Sequence, residues 1–269
     1  MTLSPRNATL LSLVLPGSAH FLLGRPVRGL AALATTMALF FVGWAVLRDR
    51  MWFFSYVTPS GFFASILRVL PLHLLPEGLN VGAAAVASLL RDTAQPYAAE
   101  RLMRMPVHGE SWATMLTGAS GILSVIWAAD AHWLSRGVRS ARVSPALAVF
   151  WSWVVPGAGH AMAGQKSKGV VMGVAVAVVF ALGMVISSGH GVDRQYFGLW
   201  WSGAALFAPG LLVASLWTQP LEWGGEISPL LEYGVALCTC AGLMNAMIMS
   251  DAFTVAEHGA GAPAAEVAA

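Results

Sequence analysis

Charged residues are scarce in this sequence. Only 10% of its 269 residues are Asp, Glu, Lys or Arg, whereas a soluble globular domain carries roughly 25%. A soluble fold of this length needs far more polar surface to cover its core. The hydrophobic share of 57% and the mean hydropathy of +0.68 therefore predict that lipid covers part of the protein.

The sequence also lacks a long basic stripe, and it has only two cysteines. Its net charge is +2, and its basic residues form short clusters such as Lys166 and Lys168, so nucleic acid is not an expected partner. Cys238 and Cys240 lie two residues apart within an apolar run, where helical neighbours point in different directions. We interpret them as small core residues rather than as a metal or redox pair.

Recognisable catalytic motifs are missing as well. The sequence contains no glycine-rich phosphate loop, HExxH pair, nucleophile elbow or cysteine cluster. It therefore predicts no catalytic residue, no metal site and no cofactor, and it does not favour an enzyme.

The longest apolar runs are five segments that approach the roughly 20 residues required to cross a bilayer core. They cover residues 29–47, 112–129, 169–186, 196–217 and 233–250. We predict one helix for each of these segments.

Three further apolar segments are interrupted. Segments 8–23 and 145–163 each contain a Pro-Gly pair, which kinks a spanning helix or turns a re-entrant one. Segment 60–90 is broken by prolines and by charged residues such as Glu77, and it fits one broken span, a hairpin or an interfacial pair. We leave open whether these segments cross the membrane.

The chain opens twice on the same motif. LVLPGSAHFLLGRPVRG, residues 13–29, aligns without gaps with WVVPGAGHAMAGQKSKG, residues 153–169. The paired residues are Pro16/Pro156, Gly17/Gly157, His20/His160, Gly24/Gly164, Arg28/Lys168 and Gly29/Gly169. We expect Pro-Gly to bend the first helix, the later glycines to permit a tight turn, and the cation to lie at a membrane boundary.

Each copy also closes alike. GILSVIWAADAHWLSRG, from Gly121, resembles GLMNAMIMSDAFTVAEHG, from Gly242, and this comparison pairs Asp130 with Asp251. We therefore predict an all-α transmembrane bundle of about seven or eight helices built from two repeated halves. The predicted repeats cover 1–140 and 145–259, and an Ala-rich disordered tail covers 260–269.

The paired histidines and aspartates admit two interpretations. An imidazole near membrane depth is costly without a partner, and ionisable groups there are functional candidates, yet a histidine also caps or stabilises turns. Asp130 and Asp251 end apolar helices, where solvent can satisfy them, or each pairs with His20 or His160 in an ion-binding or proton-relay couple. The sequence does not show whether these side chains meet.

At these residues the chain resembles an uncharacterised family of small bacterial multi-pass membrane proteins. Members open with a PGxGHxxxGxxxxG turn and close with a helix of the form AGLLNxxxxxDA. The second half keeps nearly the whole pattern, including Asn245, whereas the first half has Ser124 at that position. The resemblance implies a tandem duplication, a bacterial inner-membrane location and a role for the turn and the Asp, but no activity.

The positive-inside rule sets a condition on topology. If Arg28 and Lys168 are both cytoplasmic, an even number of spans separates them. Arg136, Arg139 and Arg142 also belong inside, which requires segment 145–163 to be re-entrant. We leave the orientation open.

Three functions compete at this point. The first is a non-catalytic scaffold or assembly module whose partners are the lipid bilayer and a second copy or another membrane protein. The alternative is a small-solute or proton-coupled transporter or channel, because duplicated halves and kinked helices are typical of carriers. A lipid-modifying enzyme with a histidine base comes last, since only the two histidines and two aspartates qualify.

Overall fold

The computed structural model describes residues 3–48, 51, 76–90, 109–137, 142–217 and 228–259. These residues form eleven α-helices and one 3-10 turn and contain no strand, so the predicted all-α fold is confirmed. The tail over 260–269 lies outside the described residues, as does the part of segment 60–90 before residue 76.

The first half contains five described α-helices. They are α1 (Pro5–Val14), α2 (Ser18–Leu22), α3 (Pro26–Leu47), α4 (Val81–Leu90) and α5 (Glu110–Ser135), with a 3-10 turn at Pro76–Leu79 before α4. The second half contains six. They are α6 (Pro145–Val154), α7 (Ala158–Met162), α8 (Lys166–Ile186), α9 (Arg194–Ala204), α10 (Ala208–Trp217) and α11 (Leu231–Gly259).

Both halves begin with the same helix start. The hydroxyl of Ser4 accepts a hydrogen bond from the backbone N–H of Asn7, and that of Ser144 accepts one from Leu147, at 3.3 Å in each case. A proline follows each serine at the first helical position, where its missing N–H costs nothing. The Ser-Pro pair therefore extends the opening motif toward the N-terminus.

Four described helices are long and apolar enough to cross a membrane. They are α3, α5, α8 and most of α11. The interrupted segments 8–23 and 145–163 are each two short helices around a Pro-Gly turn, too short to span. Seven predicted segments lie wholly within the described residues and form ten helices, because three of them are divided in two; α4 is the described α-helix of segment 60–90.

The prediction of one continuous helix over 196–217 is wrong. Phe197 has non-helical dihedral angles, and residues 205–207 separate α9 from α10. Side chains of α11 satisfy carbonyl groups along this segment: the Thr239 hydroxyl donates to the Trp200 carbonyl at 2.9 Å and the Asn245 amide to the Leu206 carbonyl at 2.7 Å. The break is therefore held in place by α11.

Both halves have antiparallel long helices. Arg28, near the start of α3, bonds Asp130, near the end of α5, while Gly43, near the end of α3, lies against the Ala113 carbonyl at the start of α5. The same arrangement joins α8 to α11 through Lys168 and Asp251. Each half is thus closed at both ends by its own helices.

The two halves point in the same direction. Arg136, at the end of α5, forms an ion pair with Glu257, near the end of α11. Arg28 and Lys168 therefore lie at one end of the bundle, which we call the basic end, as opposed to the far end. The α6–α7 segment begins and ends at the basic end. It is therefore re-entrant with respect to the bundle, as a location of the connector arginines at the same end as Arg28 and Lys168 requires.

The two cysteines differ in environment. Cys238 is buried and Cys240 is exposed, and neither forms a disulfide. The interpretation as a core residue is therefore right for Cys238 and wrong for Cys240, because the helical rotation between them turns Cys240 away from the core.

Candidate functional site

The first latch consists of His20, Arg28 and Asp130. His20 Nε2 lies 3.1 Å from Asp130 Oδ2, and Arg28 Nη1 donates to both carboxylate oxygens at 3.1 and 3.3 Å. The histidine is 0% exposed, and Trp127 packs edge-on against its ring at 5.7 Å between centroids. The latch ties the opening turn to the closing helix of its half.

The second latch consists of His160, Lys168 and Asp251. His160 Nε2 lies 2.8 Å from Asp251 Oδ2, and Lys168 Nζ donates to the same oxygen at 2.5 Å. His160 is 0% exposed as well. The sequence left open whether these residues meet, and in both halves they do.

Glycines place the histidines. Gly24 has φ of 68° and Gly164 has φ of 97°, left-handed values that favour glycine. Each ends its short helix in a turn, in which Arg25 N–H donates to the His20 carbonyl and Gln165 N–H to the His160 carbonyl, both at 2.8 Å. These turns therefore fix the backbone of each histidine independently of the contact between its ring and the aspartate.

The remaining paired glycines allow a close backbone approach. Gly17 (φ 89°) and Gly157 (φ 81°) end the Pro-Gly turns, and a Cβ on either would collide with the carbonyl oxygen of Gly29 or Gly169. This contact holds the turn after Pro16 or Pro156 against the first turn of the next long helix. The paired prolines and glycines thus have structural roles in both halves.

The latches offer no nucleophile. In each histidine the Nε2–H tautomer donates to the aspartate, and Nδ1 is buried without a hydrogen-bond partner. The Ser12 hydroxyl is also buried without a partner, so it does not bond His20 Nδ1 and no Ser-His-Asp relay is assembled. Among the described residues, no group of three His, Cys, Asp or Glu side chains is placed to hold a metal ion.

A second polar site, which the sequence did not single out, joins the two halves. Glu77 of the Pro76–Leu79 turn forms an ion pair with Arg194 at the start of α9. The Glu77 side chain is 0% exposed and that of Arg194 only 10%. We call this the central pair.

The central pair lies beside the middle of α5. A Cβ on Gly121 would overlap the Pro76 carbonyl, and one on Gly118 would meet Trp201 at 3.2 Å. The guanidinium of Arg194 lies over the Trp201 ring, 4.4 Å from its centroid. These contacts place a buried carboxylate and a buried guanidinium inside the bundle, between the middle of α5 and the far end.

The central pair has unused hydrogen-bonding atoms. Glu77 Oε2 and the Nε and Nη1 atoms of Arg194 are buried without a hydrogen-bond partner. Buried polar groups are nearly always bonded, and a buried ion pair compensates for desolvation only when its remaining valences are satisfied. The site thus has an open acceptor and two open donors.

Broken helices meet near this level. Trp153, near the end of α6, donates from Nε1 to the Ala205 carbonyl at 3.3 Å, so the segment from the basic end touches the α9–α10 break. In the first half, the Val14 carbonyl at the end of α1 lies against Gly82 at the start of α4. Each half therefore brings two interrupted segments together inside the bundle.

An asparagine steadies the interruption in each half. Asn245, on the long helix α11, donates to the Leu206 carbonyl, whereas Asn80, beside the 3-10 turn, donates to the Thr36 carbonyl at 3.4 Å and to the Ser120 hydroxyl at 3.5 Å. Asn245 was predicted as part of the motif and lies away from the latch. Asn80 supplies the amide that the first half lacks at Ser124.

The signals for the central pair were weak in the sequence. Glu77 was noted only as an interruption of segment 60–90, and Arg194 opens an apolar run as a single cation. A buried pair is recognisable only when both partners are known to meet, and 117 positions separate these two.

The family comparison follows the same division of the chain. The model of a family of unknown function (DUF6677) matches residues 7–143 and again residues 147–262. No curated protein and no solved structure matches the chain.

Proposed function

Because the chain belongs to this family of unknown function, in two copies, we propose an activity from its own geometry: it carries a small ion or solute across a membrane. The observation that supports this proposal is the central pair, which joins the two halves through Glu77 and Arg194. From the sequence alone the assembly module led, and the central pair reverses that order.

A purely structural role does not require a buried ion pair. Desolvating two charges costs several kcal/mol per ion, and apolar residues of similar volume often stabilise the same contact better. Ionisable residues inside a membrane bundle are functional candidates because they are costly there. Glu77 and Arg194 satisfy this description, since both side chains are at least 90% buried.

The interrupted helices support the same function. Carriers built from repeats bind substrates near the middle of the membrane, at discontinuous helices, and some are built from repeats that point in the same direction. Non-helical backbone at that depth is tolerated where protein or a cavity surrounds it. Here the Trp153–Ala205 contact and the Pro76–Leu79 turn lie inside the bundle.

The proposal includes a location. We place the protein in the bacterial inner membrane with its basic end in the cytoplasm, because Arg28, Lys168 and Arg136 lie at that end. Since α11 ends there, green fluorescent protein fused after residue 259 should fluoresce and alkaline phosphatase fused there should be inactive. The opposite pair of results would reverse the orientation.

Flux through reconstituted vesicles tests the proposed function. The purified full chain is inserted into liposomes loaded with a pH-sensitive dye, and proton entry is followed with and without a panel of small solutes outside. We expect flux above that of empty liposomes, and a loss of about tenfold or more in the Glu77→Gln/Arg194→Gln double variant.

The chain offers a matched control for this experiment. Arg136→Gln/Glu257→Gln removes the same two charges from the partly exposed pair at the basic end, where ion pairs contribute little. Flux should persist in this variant. No flux from the wild-type protein, or equal flux from the Glu77→Gln/Arg194→Gln variant, would contradict the carrier function.

A second candidate, the assembly module, is favoured by the latches themselves. Their histidines, aspartates and cations are bonded to one another, which suits a protein whose motif only builds a fold. Helix α8 is mostly unburied, with 22% of its apolar window inside the bundle. A stoichiometric oligomer or partner recovered in mild detergent would support this candidate, and a lone monomer without a partner would count against it.

A further inference from the structure

We infer that the central pair is the binding site for a short monocarboxylate that crosses the membrane together with a proton. This inference rests on the carrier function proposed above and names its substrate class. It follows from the charge balance at Glu77 and Arg194, from the geometry of the guanidinium and from the enclosure of the site.

The charge balance couples the proton to an anion. Arg194 stays protonated at all physiological pH values, and its buried side chain requires an anionic partner, which Glu77 provides. When Glu77 takes up a proton, the guanidinium loses this partner, and an uncompensated buried charge is strongly destabilising. A second anion restores neutrality, so proton and anion bind together.

The geometry of the guanidinium selects a carboxylate. Its flat face is occupied by the Trp201 ring, which leaves the in-plane N–H groups as the donors. Nη2 already bonds a carboxylate, that of Glu77, and Nε and Nη1 have no partner. Planar carboxylates match the guanidinium fork, so an external carboxylate replaces the Glu77 group like for like.

The enclosure of the site limits the size of this anion. Glu77 is 0% exposed, and the backbone of its turn lies directly against Gly118 and Gly121 of α5. A small monovalent carboxylate suits this close packing: its oxygens accept from Arg194 while protonated Glu77 donates from its O–H group.

Among the described residues, few titratable groups lie near Glu77. The described elements packed against its turn are α4, which carries no titratable group, and α5, whose Glu110, Asp130 and His132 lie about two turns or more from Gly118 and Gly121. On α9 the charged residue is Arg194. Asp193 lies directly before it in the sequence, and His190 lies four residues before it. Thr117 and Ser120, on α5, donate to carbonyls of their own helix.

The transport step is electroneutral. One proton binds to one oxygen of Glu77, one carboxylate binds to Arg194, and no covalent bond forms or breaks. Net uptake should therefore respond to a pH gradient and not to membrane potential.

Radiolabelled lactate is a suitable probe, since it carries a single carboxylate and crosses lipid slowly. Uptake is measured in liposomes containing the full chain, with the outside more acidic than the inside, and empty liposomes give the passive rate. We expect uptake that falls about tenfold or more when the pH gradient is removed or when Arg194→Gln is used. A potential imposed with valinomycin and potassium should leave the uptake unchanged.

The Glu77→Gln variant separates binding from proton coupling. Its amide resembles a protonated carboxyl group, so exchange of internal for external lactate should continue while the response to the pH gradient is lost. The Glu77→Gln/Arg194→Gln double variant leaves no unpaired charge and should unfold at a temperature close to that of the wild type while lacking uptake. If a single variant fails to fold, this double variant still tests the site.

The outcomes distinguish the inference from the function on which it rests. Wild-type vesicles that move protons or other solutes, but not lactate, would overturn the monocarboxylate site and leave the carrier function standing. Potential-driven lactate uptake, or a Glu77→Gln variant with an unchanged pH response, would also overturn it. Vesicles without any flux would remove both.

Discussion

The two latches use the same motif in different surroundings. The Asp130 side chain is 8% exposed and its two oxygens share an arginine, whereas the Asp251 side chain is 40% exposed and one oxygen receives both His160 and a lysine. Charge pairs are weakened by water and salt, and a lysine acts as a point charge without a planar fork. We infer that the first latch stabilises its half more than the second.

The largest effect should come from the turn glycines, which the two halves share equally. Gly17→Ala and Gly157→Ala each add a Cβ at positive φ that collides with a carbonyl oxygen. We expect each to lower the free energy of unfolding by about 3 kcal/mol or more, measured by denaturant unfolding in detergent. The control is Gly24→Ala, at φ 68° with open space around it, which should cost about 1 kcal/mol.

This prediction compares the halves where they are equivalent. Unequal losses in the Gly17 and Gly157 variants would mean that the two turns are not equivalent. A loss no larger than that of Gly24→Ala would show that the close backbone approach is not needed.

The aspartates should separate the halves. Asp130→Asn leaves the buried His20 and the half-exposed Arg28 without a carboxylate, and we expect a loss of about 3 kcal/mol in unfolding free energy. Asp251→Asn should cost under about 1 kcal/mol, because water reaches that carboxylate. Glu257→Gln, in the partly exposed pair at the same end, serves as the control, and equal losses at both aspartates would contradict the inferred ranking.

The asparagines should show a smaller difference in the opposite sense. Asn245→Ser removes a 2.7 Å bond and leaves the Leu206 carbonyl without it, so a loss of about 2 kcal/mol is expected. Asn80 makes longer bonds, and Asn80→Ser should cost about 1 kcal/mol. Ser124→Ala is the matched control, because that hydroxyl bonds only its own helix, and thermal unfolding of the three variants measures the order.

The smallest effect should come from exchanging the cations. Arg28→Lys loses one of two bonds to Asp130, for which we expect about 1 kcal/mol, while Lys168→Arg should change stability by less than about 0.5 kcal/mol. Raising the salt concentration should weaken the second latch more. A salt response that is larger for the first latch would reverse the comparison.

Much of each latch could be predicted from the sequence. The ungapped match of the opening motif identified His20, His160 and their glycines, and the closing match identified Asp130 and Asp251, because repetition marks residues that both copies need. Which atoms meet could not be predicted, since 110 positions separate His20 from Asp130. The Ser-Pro helix starts at Ser4 and Ser144 carried the same spacing and were missed.

The break in segment 196–217 has a local signal that was missed. Pro209 and Gly210 lie just after residues 205–207, and a proline has no N–H for the carbonyl four residues before it, here that of Ala205. A Pro-Gly pair also divides segments 8–23 and 145–163. Asn245 and Thr239 of α11 bond carbonyls along segment 196–217, so tertiary contacts stabilise a break that the sequence already favours.

The sequence by itself determined the apolar character of the long helices and the all-α fold class, because hydropathy and helix-length apolar runs are properties of residue types in order. It also determined the two copies of the motif. Only the tertiary structure decided that the halves point in the same direction and that Glu77 meets Arg194. Such contacts depend on where interrupted helices dock, and no local pattern encodes the distance between residues on separate halves.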